Sequence, residues 1–197
     1  MKRAPVFFTI LMSVTALAGC GAEPPLEAAG RDVVRPALGF AIDVPEGWTW
    51  NDRAGDIVLE MLPRPAGADA AKQRAADGDG ENDTARRRAR TAPVVHVAVI
   101  DREGMTLDAW ADETVASSRQ LQADLEVLKR EPARTAGGRE ALALVLKNPR
   151  GLEPFVQRLR LAQTETRSYA VIATAPESDW PAAEAAVETC FDSFVVW

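Results

Sequence analysis

The sequence predicts an α+β domain, a mostly antiparallel β-sheet covered by helices. Three observations carry that expectation. Short apolar runs with a period of two recur at close spacing through residues 40–62 and again through 140–174, which favours antiparallel neighbours. A capped helical pattern over 107–121 separates the two groups, and a second helical pattern closes the chain after Asp179. Strands grouped around isolated helices, without strict strand–helix alternation, match an α+β layout.

The first strand begins after Gly39. Phe40, Ile42 and Val44 alternate with Ala41 and Asp43, the period of a half-buried strand. Pro45-Glu46-Gly47 makes a turn, Trp48 and Trp50 resume the alternation, and 56–62 forms a third strand. From 63 to 93 large apolar side chains almost vanish. Such a stretch cannot offset its ordering entropy by burial, so it is expected as a mobile insertion between two strands.

Residues 94–100 are apolar on both faces and therefore belong inside the sheet. Thr106 can cap a helix over 107–121, with Asp108 suited to its first turn and Leu107, Trp110, Val115 and Leu121 on one stripe. A strand over 125–130 follows. Residues 140–147 put Leu142, Leu144 and Leu146 on one face. Residues 155–163 turn Phe155, Leu159 and Leu161 inward and Arg158 and Arg160 the other way. A strand over 168–174 comes next, with turns at 148–151 and 165–167. Ser178 or Asp179 caps the last helix, where Trp180, Ala183, Val187, Phe191 and Phe194 share a face and Pro181 is tolerated in the first turn.

The N-terminus follows other rules. Lys2 and Arg3 precede an apolar run from Val6 to Leu17, shorter than the roughly 20 residues that span a bilayer and shaped like a secretory signal. Leu17-Ala18-Gly19-Cys20 resembles the bacterial lipobox. The resemblance implies cleavage before Cys20 and a lipid on its sulfur; two or more acyl chains make such anchoring stable. Residues 1–19 are then a lipoprotein signal peptide, 20–38 a lipidated N-terminus with a flexible stalk, and 39–197 the domain. The expected location is the periplasmic side of the inner or outer membrane, or the outer face of the cytoplasmic membrane in a one-membrane host.

Removing 1–19 leaves 178 of 197 residues, and loss of Lys2 and Arg3 takes the basic count from 23 to 21 against 29 acidic residues, a net charge of −8. An acidic body argues against nucleic acid as a partner, since phosphate binding needs a basic surface. With Cys20 lipidated, Cys190 has no disulfide partner and reads as a buried, inert thiol.

No catalytic constellation is legible. His96, the single histidine, falls with Val94, Ala98 and Ile100 on one strand face and lacks a local companion for base or metal chemistry. No glycine-x-serine-x-glycine elbow occurs. Asp77 to Asp83 alternates oxygen ligands, but Asn82 replaces the glycine of an EF-hand loop and Arg88 its bidentate acid, which leaves a solvated acidic loop. Arg86, Arg87, Arg88 and Arg90 are candidates for contact with an anionic surface, each worth about 1 kcal/mol there. Trp110 and Trp180 lie on apolar helix stripes, whereas Trp48 and Trp50, beside the turn, are candidates for a ligand-cleft rim.

Five segments carry a wider resemblance: 39–48 (GFAIDVPEGW), 106–111 (TLDAWA), 137–141 (GGREA), 169–176 (YAVIATAP) and 191–194 (FDSF). Together they resemble the PsbP/DcrB-like family, with its Mog-type α/β/α sandwich, over 39–197. The resemblance implies an envelope lipoprotein that acts as a non-catalytic binding, assembly or scaffold module; an envelope protein is the expected partner, and no cofactor is expected. A carrier of a small hydrophobic ligand in the envelope is the alternative.

Overall fold

The computed structural model describes residues 26–64, 92–101, 104–150 and 154–197. Cys20 and its lipobox lie outside the described residues, as do the acidic loop and Arg86, Arg87, Arg88 and Arg90. In chain order the elements are β1 (Val33–Arg35), β2 (Phe40–Ile42), β3 (Trp48–Asp52), β4 (Ile57–Pro63), β5 (Val94–Asp101), α1 (Leu107–Leu121), β6 (Glu126–Arg134), β7 (Glu140–Asn148), β8 (Phe155–Gln163), β9 (Arg167–Pro176), α2 (Trp180–Ser193) and β10 (Val195–Val196).

Two antiparallel sheets result. The larger runs β3-β4-β5-β9-β8-β7-β6, so β5 is an interior strand, as its two apolar faces require. The smaller runs β1-β2-β10 and joins the two ends of the domain. Alternation then divides the core in two. On one face, α1 lays Trp110 and Ala111 against Leu142, Leu144 and Leu146 of β7 and Leu159 and Leu161 of β8. Thr106 accepts the N–H of Ala109 at 3.2 Å, as the capping pattern requires. On the other face, α2 and the small sheet bury Val95, Val97, Val171 and Ala173 together with Phe40, Val187, Phe191 and Phe194. Helices on both faces of a mostly antiparallel sheet make the expected α/β/α sandwich.

The folded region starts earlier than Gly39. Val33 is buried and pairs with Ile42, Ala28 is buried, and Arg31 bonds Asp43 at 2.7 Å, so 26–38 is packed where a stalk is expected. The physical reason is the free edge of β2, whose backbone donors and acceptors need partners that Val33 and Val34 can supply. Gly39 makes the entry possible. Its φ is +73°, and a β-carbon there would stand 2.8 Å from the Trp197 carbonyl oxygen and 2.9 Å from the Tyr169 hydroxyl.

Other boundaries shift for similar reasons. β4 runs through Pro63, opposite Trp48, where the insertion is expected to start; residues 65–91 lie outside the described residues. Leu121 is 86% exposed, because Leu125 in the following loop fills the core beneath the helix end. Phe194 has left the helix: it is the extended C-cap that leads into β10, which pairs with β2. Asp179 holds the N-cap position of α2 without a capping bond; its carboxylate accepts the Ser178 hydroxyl at 3.1 Å instead. β6 reaches Arg134 rather than stopping at 130, because Glu131 to Arg134 pair with Ala143 to Glu140 of β7.

Candidate functional site: two clefts flanking an edge strand

Strand β6 ends the large sheet, and seven of its nine residues are exposed. Its sequence carries three features that blunt an open edge. Lys129 is charged, Pro132 offers no N–H, and the pairing with β7 is irregular between Val127 and Lys129. These features disfavour addition of another strand. They leave side chains pointing to both faces, and each face holds a cleft.

On the α1 face, a cleft of about 710 Å³ lies between the first turn of α1 and strands β6 and β7. Leu107 and Leu142 supply apolar wall, while Asp108, Arg130, Arg134 and Glu140 supply charge. Arg130 spans the opening: its guanidinium bonds Asp108 at 2.6 Å and also pairs with Asp112 one turn on. The hydrogen bonds that Arg130 donates to Asp112 and Asp108 hold its guanidinium above its already high range. Arg134 donates to the Gly138 carbonyl at 2.7 Å across the β6–β7 turn.

On the α2 face, a groove of about 350 Å³ runs between α2 and strands β6 to β8. Trp180, Glu184, Glu188 and Phe191 form one stripe of the helix wall, at the spacing of successive turns. Lys129 and Glu131 form the outer wall, Ala143 and Val145 part of the floor, and Arg158 and Arg160 rise from β8. Arg158 bonds Glu188 at 2.5 Å, lies 3.5 Å from Glu184, and stands 5.7 Å and 5.6 Å from the rings of Trp180 and Phe191. Arg160 lies 5.2 Å from the Phe191 ring and donates to the Arg134 carbonyl at 2.7 Å, which stitches β8 to the end of β6. Strand β6 is therefore the common wall of both clefts.

The tryptophans read as a cleft rim line neither cleft. Alternation turns both toward the face covered by the small sheet. Trp48 belongs to the core there, and Trp50, 38% exposed, is capped by the Arg35 guanidinium 5.0 Å away. Arg35 is itself fixed by Asp52 at 2.6 Å. His96 does find a companion. Register places it opposite Glu60, with Nε2 3.3 Å from Oε1, and Arg53 pairs with the same carboxylate. This trio lies outside both clefts, and among the described residues no group of three or more His, Cys, Asp or Glu side chains is placed to hold a metal ion. No helix of the described residues is long and apolar enough to cross a membrane.

Arg130, Arg134 and Glu188 carry no signal as site residues in the sequence; only the pairing of distant elements groups them. Arg158 and Arg160 gave one clue, two arginines alternating with core leucines.

The architecture defines a class: it is a PsbP/Mog-type fold. The solution structure of cyanobacterial PsbP from Synechocystis sp. PCC 6803 matches with a TM-score of 0.54 at 11% identity, covering 84% of this chain and 91% of that one. LpqN of Mycobacterium tuberculosis, involved in cell envelope biogenesis, matches with a TM-score of 0.54 at 10% identity, over 80% and 82% of the two chains. A Mog1 mutant matches at 0.50 and 10% identity, over 80% and 90%. At such identities the likeness is one of fold alone. The sequence matches no family model and no curated protein.

Proposed function

We propose that this chain is a non-catalytic binding module of the cell envelope, anchored by lipid on Cys20, that recognises a partner protein along β6. One observation carries the binding site: a single exposed edge strand walls clefts on both faces of the sheet. A partner that straddles this edge can use both clefts at once, while Pro132 and the irregular pairing around Leu128 discourage open-ended strand addition. The envelope location draws on the lipobox resemblance and on a fold shared with LpqN, a protein of envelope biogenesis. The non-catalytic reading draws on the separation of His96 and Glu60 from either cleft.

A photo-crosslinking residue in place of Leu128, which is 54% exposed on β6, tests the partner edge in the native host. The same residue in place of Ile57, 37% exposed on β4, is the control. A discrete adduct is expected from position 128 and not from 57. No adduct, or equal adducts from both, would overturn the reading. Cys20→Ala should move the protein out of the membrane fraction; an unchanged distribution would remove the lipid anchor.

The second reading, a carrier of a small hydrophobic ligand, has the volume of the larger cleft in its favour, since small-molecule sites fall in that range. A wholly apolar cargo would have to desolvate Asp108, Arg130, Arg134 and Glu140 without returning a hydrogen bond. Native mass spectrometry of protein from its own host would show a bound mass if this reading held.

A further inference from the structure

Arg158 and Arg160 leave β8 on the same face, two residues apart, and enter one groove in different electrostatic states. Arg158 is matched by Glu184 and Glu188. At the outer wall, Lys129 is matched by Glu131 at 2.7 Å. Each of these three acids thus has a basic partner. Arg160 has none: among the described residues, no carboxylate oxygen comes within the 4.0 Å of an ion pair.

The guanidinium of Arg160 is nevertheless held in place. Its Nη1 donates to the Arg134 carbonyl at 2.7 Å, and its Cζ lies 5.2 Å from the centroid of the Phe191 ring. Its Nε is buried without a hydrogen-bond partner. Burial pulls the Arg160 guanidinium below its usual range, while Asp192 and Glu188 support its charge from a greater distance. A half-buried cation with fixed orientation and no paired carboxylate is preorganised for an oxyanion.

The groove also selects which oxyanion. Glu131, Glu184 and Glu188 line it, so a second negative charge on the ligand meets more repulsion than a first. A carboxylate brings one charge and suits a guanidinium fork in plane and spacing. The methyl groups of Ala143 and Val145 offer apolar floor to the methylenes of an acidic side chain. The geometry points to Arg160 as the receptor for a single carboxylate, an aspartate or glutamate side chain carried by the partner segment at β6. This inference rests on the reading of β6 as the partner edge.

The probe is a blocked tripeptide, acetyl-Gly-Glu-Gly-amide, titrated into the full chain while the Nε–Hε signal of Arg160 is followed by NMR. A saturable shift is expected, weakened about tenfold or more with the Gln tripeptide or with Arg160→Lys, which keeps the charge but not the fork. Because the Gln peptide leaves the protein unaltered, the result does not depend on the variant folding. No shift with the Glu peptide would overturn the proposal. Inorganic phosphate binding as tightly would overturn the preference for one charge, and acetate binding as tightly would overturn a partner segment as the source. A flat titration beside an intact Leu128 adduct removes the receptor alone; an intact titration without that adduct removes the β6 partner.

Discussion

Glu60 and His96 face each other across neighbouring strands, the imidazole Nε2 3.3 Å from the carboxylate Oε1, although 36 positions separate them in the chain. Partial burial opposes ionisation of Glu60, but hydrogen bonds from Arg53 and His96 outweigh it and hold the carboxyl below the usual range. As pH falls, the unfolded chain therefore takes up this proton first. The contribution to stability is whole above the unfolded value of about 4.3 and is lost as pH falls through the lower folded value. Glu60→Gln should cost about 1 kcal/mol at neutral pH, a modest figure because Arg53 is half exposed and its attraction is screened. Denaturant unfolding of both proteins should show the gap narrowing as pH falls below the unfolded value of about 4.3. A gap that persists there would assign the effect to packing.

Gly39 tests the closure of the chain ends. The Trp197 N–H donates to the Gly39 carbonyl at 3.1 Å, and the Tyr169 hydroxyl donates to the Leu38 carbonyl at 3.0 Å. Gly39→Ala adds a strained φ to a clash with backbone and should cost at least about 2 kcal/mol. Tyr169→Phe removes one hydrogen bond and should cost about 1 kcal/mol. The double variant should remain as unstable as Gly39→Ala or worse, because the Trp197 carbonyl still blocks the new methyl group. Thermal and denaturant unfolding measure all three.

The tryptophans should rank by burial rather than by position in the sequence. Trp110 is the large anchor of α1, whose only other fully buried residue is Ala111. Trp110→Ala should cost about 3–5 kcal/mol and expose the α1 amides to hydrogen exchange. Trp50→Ala removes a partly exposed ring and its contact with Arg35, and should cost no more than about 1 kcal/mol. Equal losses would contradict the assignment of Trp50 to the margin of the core.

Burial pushes the Cys190 thiol up to about 12, with Asp43 adding to the effect. A neutral thiol in the core is a poor nucleophile, so a thiol-reactive disulfide reagent at about pH 8 should label it only as fast as the protein opens. The stability carried by the neutral thiol is whole below the unfolded value of about 8.5 and is lost as pH rises through about 12. Rapid labelling of the native protein would refute the burial.

The positions of β4, β5, β7, β8 and β9, the facing of β7 and β8, the cap of α1 and the apolar stripe of α2 are legible in the sequence, because period and capping are local properties. From these the layer architecture followed. Local patterns also separated Arg158 and Arg160 from the leucines beside them. Tertiary structure decided the rest. Pairing of β1 and β10 with β2 depends on a free edge that exists only once the chain ends meet. His96 acquires Glu60 through strand register, not through sequence spacing. Arg158 and Arg160 diverge in role because α2 happens to set Glu184 and Glu188 against one and Phe191 against the other. The clefts beside β6 have no sequence signature, since each is the gap left where a helix stops covering the sheet before its edge.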